Sequence, residues 1–333
     1  MNKRKSITCI IIAFAIIISA LAVPSFNSQA ASSLVSKPTG LKQVGTVKGK
    51  SISWKWNSVN GATGYSVSVW AGSEYGGWVV KNATVKTTSY TYKTKKLGMA
   101  YIIYVYAIDK NGDRSEYAFR YGYSYPVKPT KTYVYKWTPN SSQVVLRWMG
   151  YAKGNNILPG GYQVEVYSLA GKKLKTYAIK AETNQDKRKN SSYYDVMDKK
   201  ITGIKNQGFK VRIRAYRKLD SGEKIYGAWS KTESFVPQAK IKGYGPGANS
   251  NYKSVNWLAV KGAVSYSIYY MDGSTPKLIK SGIKSTTYNK LKYNYATTDR
   301  RIFITANVKV KGKVYKSTVT KQGVVTTSYS TTY

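Results

Sequence analysis

Residues 56–69, WNSVNGATGYSVSV, return later in the chain as residues 257–270, WLAVKGAVSYSIYY. In both segments a Trp is followed by Val three positions on, by Gly and Ala at the fifth and sixth positions, and by Tyr at the ninth. A second match follows each segment, because VKTTSY at residues 85–90 aligns with IKSTTY at residues 283–288. Two matched segments in the same order indicate an internal repeat.

Apolar and polar residues alternate with a period of two in these segments, which predicts β-strands. Tyr65, Val67 and Val69 alternate with serines, and Asn-Gly pairs at residues 60–61 and 111–112 occupy turn positions. The middle of the chain is more divergent but has the same pattern in VVLRW (residues 144–148), GYQVEVY (161–167) and FKVRIRAY (209–216). The sequence therefore predicts an all-β chain with three units of about 100 residues each.

Each unit resembles a fibronectin type III domain, as found in exported bacterial proteins. The resemblance rests on a Trp in strand B, on the GATGYSVSV type of strand C, and on a spacing of six residues between two apolar positions of strand F. These positions are Trp54 or Trp56, Trp148 and Trp257 in strand B, and Tyr101 with Ala107, Phe209 with Ala215, and Ile302 with Val308 in strand F. The resemblance implies three tandem antiparallel β-sandwiches of fibronectin type III or immunoglobulin-like type.

The implied boundaries are residues 37–126, 130–238 and 250–326, followed by a flexible tail at 327–333. Polar segments with two prolines each, at residues 124–131 and, with added glycines, at 236–251, predict the linkers between the units. The resemblance implies binding, spacing or display without catalysis. Composition favours the same conclusion, because the absence of His and the presence of one Cys exclude His bases, His metal sites and internal disulfides. We therefore expect no catalytic site, no metal site and no cofactor.

Residues 1–30 have the features of a signal peptide. A basic start at residues 3–5 precedes an apolar run at residues 7–23, and the small residues of SQA at 28–30 favour cleavage after Ala30. The alternative is that the apolar run is retained as a membrane anchor. We expect the protein to be secreted or associated with the cell surface, without a membrane span in the mature chain.

Net charge gives the first binding hypothesis. Lys and Arg number 54 and Asp and Glu 14, so the formal net charge is +40. Such a charge attracts extracellular polyanions such as teichoic acid, sulfated glycans and extracellular DNA. If Phe209 points into its sandwich, Lys210, Arg212 and Arg214 form a cationic stripe on the outer face, with Glu165 as a neighbour. The alternative is that this face is simply solvated.

Aromatic residues of the first unit give the second binding hypothesis. The same alternation leaves Trp70, Tyr104 and Tyr106 facing outwards on neighbouring strands, with Tyr75 and Trp78 on the adjacent hairpin. Exposed rings stack on sugar rings or bases, so this aromatic strip predicts a glycan-binding site. The alternative is that the rings pack on the neighbouring unit or stabilise one another across strands.

The sequence thus predicts a non-catalytic, secreted or surface-associated protein that binds anionic polymers of the envelope or matrix through the cationic stripe. A carbohydrate-binding module that uses the aromatic strip is the second hypothesis, and a passive spacer or display protein is the third. Salt distinguishes the first two, because polyanion binding weakens steeply with ionic strength whereas stacking on a neutral glycan does not.

Overall fold

The computed structural model describes residues 35–45, 51–72, 76–94, 96–137, 140–152, 159–181, 194–273, 275–292 and 302–317. Within these ranges every regular element is a β-strand, and the strands form six antiparallel sheets. The predicted signal peptide, the predicted tail and Tyr75 lie outside the described residues. No helix in the described part of the chain has the length and apolar character needed to span a membrane.

The strands of the first sandwich are β1 (Lys42–Val44), β2 (Ser51–Lys55), β3 (Gly64–Ala71), β4 (Trp78–Val85), β5 (Ser89–Lys93), β6 (Ala100–Ile108) and β7 (Arg114–Tyr123). One sheet has the order β1-β2-β5 and the other the order β4-β3-β6-β7. Gln43 closes the edge between the two sheets. Its side-chain amide donates to the Tyr123 carbonyl at 2.9 Å, and its side-chain oxygen accepts from the Tyr123 amide at 2.8 Å.

The strands of the second sandwich are β8 (Thr130–Lys136), β9 (Val144–Ala152), β10 (Gly161–Ser168), β11 (Lys173–Lys180), β12 (Tyr194–Ile201), β13 (Phe209–Lys218), β14 (Lys224–Tyr226) and β15 (Glu233–Phe235). One sheet has the order β12-β9-β8 and the other the order β11-β10-β13-β14. The short strand β15 also pairs with β13, beside Phe209 to Val211. Two short strands here therefore take the place that β7 has in the first sandwich.

The strands of the third sandwich are β16 (Ile241–Pro246), β17 (Tyr252–Trp257), β18 (Ala263–Asp272), β19 (Thr275–Ile283), β20 (Thr287–Lys292), β21 (Ile302–Val310) and β22 (Lys313–Lys316). The sheets have the orders β16-β17-β20 and β19-β18-β21-β22. Strand β16 lies inside the predicted linker at residues 236–251 and before the predicted start of this unit at residue 250. An edge strand pairs on one side only, so it tolerates the irregular register at Gly243 and the terminal Pro246.

The repeated motif makes the same contacts wherever it occurs. The Val59 amide donates to the Tyr65 hydroxyl at 3.0 Å, and the ring of Trp56 meets that of Tyr65 edge to face with centroids 5.4 Å apart. The third sandwich has the equivalent contacts, at 3.1 Å and 5.4 Å, between Val260, Tyr266 and Trp257. The Trp, the Val and the Tyr recur together because their contacts form one cluster that fixes the turn before strand β3 or β18.

The second matched segment, at residues 85–90 or 283–288, is hydrogen-bonded to the Trp of this cluster. The Trp56 amide donates to the Thr88 carbonyl at 3.0 Å, and the Trp257 amide donates to the Thr286 carbonyl at the same distance. In the second sandwich Trp148 keeps the ring pair, with its centroid 5.5 Å from that of Tyr162. The divergent middle unit thus retains the aromatic centre of the repeat.

Each sandwich has its own apolar core, built from the inward residues of both sheets. In the first core Trp54 is fully buried, and its indole packs so closely on β7 that a Cβ at Gly122 would overlap the ring. In β13 the predicted alternation is confirmed, because Phe209, Val211 and Ile213 are fully buried. These cores determine which side chains are left for the outer faces.

The first and second sandwiches meet through polar and aromatic contacts. The hairpin β13–β14 lies against the first sandwich, and its contacts are Arg120 Nη2 to Asp220 Oδ2 at 2.6 Å, Arg217 Cζ to the Tyr123 ring centroid at 3.8 Å, and the Gly45 amide to Glu223 Oε2 at 3.2 Å. The ion pair is exposed, so screening by salt weakens it.

The second and third sandwiches meet where a residue of the second enters the apolar core of the third. Leu169, which follows β10, is buried in the apolar cluster of the third sandwich together with Val236 and Ala239. The Lys261 amide also donates to the Asn206 carbonyl at 3.0 Å. This joint is therefore apolar where the first joint is ionic.

Candidate functional site

The outer face of the sheet β4-β3-β6-β7 carries rings on every strand. Trp70 and Trp78 are paired across β3 and β4, and their ring centroids lie 5.2 Å apart. Trp78 also lies 5.4 Å from Tyr104 on β6. Tyr106 joins the group through Tyr117 on β7, which lies 5.6 Å from Tyr106 and 5.5 Å from Tyr104. The structure thus brings the four predicted residues of the aromatic strip into one connected group.

Strand β7 adds three rings that the sequence analysis missed. Tyr117, Phe119 and Tyr121 are 49%, 56% and 44% exposed, and they face outwards beside β6. Their signal was present in the sequence, since residues 117–121 read YAFRY with a ring at every second position. The aromatic face consists of Trp70, Trp78, Tyr104, Tyr106, Tyr117, Phe119 and Tyr121.

The rings of the aromatic face hold one another in place. Most neighbouring pairs meet edge to face or at a tilt, and Tyr104 stacks on Phe119 at 6.2 Å. Each such pair contributes about 0.5–1.5 kcal/mol beyond simple burial, so the face is ordered before a ligand arrives. Burial, and then the neighbouring Tyr117 and Tyr121, raise the pKa of the Tyr104 hydroxyl, which therefore stays protonated as a neutral donor.

A polar cluster borders the aromatic face beside β4. Strand β4 has a bulge opposite Ser68, where Asn82 adopts a positive φ of 49°. The Asn82 amide donates to Ser68 Oγ at 2.9 Å, which fixes the backbone of the bulge. Asn82 Oδ1 then accepts from Arg114 Nη1 at 3.2 Å, and Arg114 Cζ lies 5.7 Å from the centroid of Tyr106.

The cationic stripe is present on the outer face of β13, but its central member is engaged. Arg212 Nη2 lies 2.7 Å from Glu165 Oε2, and its Nε donates to the same oxygen at 2.8 Å. Arg214 Nε donates to Gln163 Oε1 at 2.7 Å. Lys210 Nζ lies 5.3 Å from the ring centroid of Tyr315 in the third sandwich. Of the three, Arg212 is the one whose charge is balanced by a carboxylate.

Glu165 is a buried carboxylate at the centre of this outer face. Its side chain is 6% exposed, and it accepts from Lys173 Nζ at 2.7 Å, from Arg212 and from the Tyr167 hydroxyl. Burial alone raises the pKa of this carboxyl, but the hydrogen bonds from Lys173, Tyr167 and Arg212 outweigh burial and lower the pKa to about 2. Glu165 therefore stays ionised and stabilises the sheet.

Trp229, which the sequence analysis did not single out, lies between the two arginines of the stripe. Its ring centroid is 4.2 Å from Arg212 Cζ and 4.4 Å from Arg214 Cζ. Arg214 also lies 3.9 Å from the ring of Tyr226. Guanidinium groups stacked on rings in this way stabilise the outer face, so the stripe serves the fold of the second sandwich.

The third sandwich has little negative charge to balance its lysines. Asp272 is the single acid among its described residues, and Oδ2 of Asp272 is paired with Lys277 Nζ at 2.7 Å. The hairpin of β21 and β22 carries lysines on both strands and in its turn: Lys309, Lys311, Lys313 and Lys316. Positive charge without an acidic partner among the described residues is therefore concentrated here.

No protein-family model matches the chain, and no curated protein is significantly similar to it. Similar solved structures include the FN1–FN3 domains of chicken CNTN1, with 14% identity over 83% of this chain and 94% of that chain, at a TM-score of 0.30. A two-domain fibronectin type III segment of chicken tenascin has 15% identity over 59% of this chain and 96% of its own, at a TM-score of 0.27.

An Fn3-like protein from Clostridium thermocellum has 28% identity over 25% of this chain and 86% of its own, at a TM-score of 0.22. In this chain a three-stranded sheet faces a sheet of four or more strands in each unit, with the same strand order throughout. The described strands thus form all-β antiparallel sandwiches, the architecture that the resemblance to fibronectin type III domains implied.

Proposed function

We propose that this chain is a non-catalytic extracellular binding protein, secreted or attached to the cell surface, that holds a polysaccharide on the aromatic face of its first sandwich. The observation that carries the proposal is the connected group of rings on one open sheet face. Trp78 is 44% exposed and Phe119 56% exposed, so the group is not covered by the rest of the described chain. Large exposed apolar patches on a folded protein mark binding sites.

Sugars fit this surface better than a protein partner does. A pyranose ring has an apolar face of C–H groups that packs on aromatic rings, and hydroxyls that take hydrogen bonds. The aromatic face offers both, since its tyrosines carry hydroxyls and the Asn82 cluster lies beside them. The rings are fixed by their neighbours, which lowers the entropy lost when a ligand binds.

We predict that replacing Trp78 and Tyr104 together by Ala lowers the affinity for the bound polysaccharide by at least tenfold. Each ring removes a stacking contact worth about 1 kcal/mol, and the two losses combine. The measurement is binding of the full chain to an array of soluble polysaccharides, followed by titration calorimetry on those that bind. Tyr244→Ala is the control, because Tyr244 is 47% exposed on the third sandwich, away from this face. Equal affinity of the double variant and the wild type would refute the proposal.

A second candidate function is retention on anionic polymers of the envelope or matrix, such as teichoic acid or extracellular DNA. The unbalanced lysines of β21 and β22 favour it. The cationic stripe remains a candidate site, although Arg212 is neutralised by Glu165. Electrostatic retention needs exposed cations but no precise arrangement of them. The hairpin of β21 and β22 is therefore better supported as the site than the cationic stripe.

For this second function we predict that the triple variant Lys309→Gln, Lys311→Gln and Lys316→Gln binds duplex DNA and teichoic acid several-fold more weakly at physiological salt. The slope of log K against log salt should become less steep by about 2–3, because up to three ion contacts are lost. The matched variant Lys210→Gln, Arg212→Gln and Arg214→Gln tests the stripe. A loss confined to the stripe variant would assign the site to β13, and an unchanged slope in both would exclude each surface.

A further inference from the structure

We propose that the ligand of the aromatic face is an acidic polysaccharide, and that Arg114 binds its carboxylate or sulfate groups. This inference rests on the proposed function and specifies the class of ligand. Its basis is an exposed guanidinium that is held at the edge of the rings and has no acidic partner among the described residues.

The position of Arg114 is set by the bulge in β4. Opposite Ser68 the bulge inserts an extra residue, and Asn82 takes the left-handed conformation that Asn tolerates better than most residues. Ser68 Oγ accepts from the Asn82 amide at 2.9 Å. The side-chain oxygen of Asn82 is thereby presented to Arg114 Nη1 at 3.2 Å. The bulge in edge strand β4 thus orients the side chain of Arg114, which is the first residue of the other edge strand, β7.

Arg114 keeps most of its binding capacity. The guanidinium has five N–H groups, and the contact with Asn82 uses one nitrogen. Its Cζ lies 5.7 Å from the centroid of Tyr106, so the cation stays close to the rings. The remaining donors form the planar fork that binds two oxygens of a carboxylate or sulfate.

Three other arginines on the described strands already have a carboxylate. Arg120 pairs with Asp220 at 2.6 Å, and Arg212 pairs with Glu165 at 2.7 Å. Arg147 donates to both carboxylate oxygens of Asp198, at 2.6 Å and 2.8 Å. Acids are scarce in this chain, at 14 against 54 bases, and those near arginines are used for structure. Arg214 has no carboxylate partner either, but its guanidinium is stacked on Tyr226 and Trp229 in the second sandwich. Arg114 is the arginine without a carboxylate that lies beside the aromatic face.

The geometry of the rings favours a sugar over a nucleic acid as the source of the anion. The rings at Trp70, Trp78 and Tyr104 meet at interplanar angles of 86° and 61°, so they present edges as well as faces. Planar bases stack best on parallel open faces, whereas the C–H groups of a sugar contact faces and edges alike. The large positive charge of the chain attracts an acidic polymer from solution.

The test compares a polyuronate oligosaccharide with its carboxyl-reduced, neutral form, by titration calorimetry on the full chain at physiological salt. We expect the wild type to prefer the acidic form by about tenfold, in line with one charge-assisted bidentate contact. Arg114→Gln should remove this preference and leave the affinity for the neutral form unchanged. Lys55→Gln is the control, since it makes the same change of charge on the opposite sheet of the same sandwich.

Each other outcome counts against this inference in a distinct way. Equal binding of the two oligosaccharides by the wild type, or an undiminished preference in Arg114→Gln, would overturn the role of Arg114 while the polysaccharide site stands. If single-stranded DNA displaced the acidic oligosaccharide when present at a lower concentration than the oligosaccharide, the aromatic face would be assigned to nucleic acid. Binding of neither oligosaccharide, with no effect of the Trp78 and Tyr104 variant on any polysaccharide, would overturn the proposed function itself.

Discussion

Replacing Glu165 by Gln is expected to destabilise the second sandwich by about 3 kcal/mol at neutral pH. The folded protein lowers the pKa of this carboxyl from 4.5 to about 2, and the difference converts to about that free energy. The variant removes the charge that Lys173 and Arg212 share and leaves both cations without a counter-charge. In calorimetric melting of the full chain, the midpoint temperature of one transition should fall by about 10 °C or more.

The pH dependence of this effect has a definite sign. A group whose pKa is lowered by folding contributes its full stability above its unfolded pKa and loses it as pH falls through the folded pKa. The wild type should therefore lose this contribution between about pH 4.5 and pH 2, and the difference between wild type and Glu165→Gln should vanish over the same range.

Glu233→Gln provides a matched control on the same sandwich. Burial raises the pKa of the Glu233 carboxyl, an effect that Lys231 opposes, so this carboxylate is not stabilised by folding. The neutral replacement should leave the melting temperature at pH 7 unchanged or slightly higher. Equal losses in the two variants would mean that the ion pairs of Glu165 do not stabilise the sandwich.

Replacing Trp54 by Ala is expected to destabilise the first sandwich by about 3–5 kcal/mol, which is a large part of the stability of a small domain. Trp54 is fully buried, and its ring fills the space above Gly122 on the opposite sheet. The variant leaves a cavity between β2 and β7 that the backbones of these two strands cannot fill. Hydrogen exchange of peptides from β2, β3 and β6 should be faster by about a hundredfold or more, with the third sandwich unaffected.

Trp70→Ala tests the other side of the same sheet. Trp70 lies on the aromatic face and is half-buried, so its loss should change hydrogen exchange little and polysaccharide binding more. Trp54→Ala should speed hydrogen exchange strongly and should change polysaccharide binding little in those molecules that remain folded. If the two variants had the same effects on stability, the separation between core and binding face would be incorrect.

The repeats and the alternation of residues were sufficient to predict the fold. They predict the strands, the inward rows and the aromatic strip, because all three depend on side-chain period alone. They also predict Glu165 as a neighbour of the cationic stripe. Its burial was not predictable, since it depends on Lys173 and Tyr167 closing over the carboxylate.

Other parts of the site depend on contacts that a sequence pattern does not contain. The bulge at Asn82 leaves no mark in composition, and so the tie to Arg114 was not predicted. Trp229 lies in an irregular segment between two short strands, where alternation gives no direction. Strand β16 resembled a linker because edge strands accept Pro and Gly, so composition could not distinguish the two.

If the chain is tethered between a surface and a polymer, as proposed, its two joints respond differently to tension. The joint beside Asp220 is held by an exposed ion pair and a few polar contacts, so it yields at low tension and more easily in high salt. The joint beside Leu169 is part of a buried core, so load that reaches it is borne by the third sandwich itself. Under tension the contacts between the first and second sandwiches would thus break first. The chain would lengthen there before the second or third sandwich unfolds.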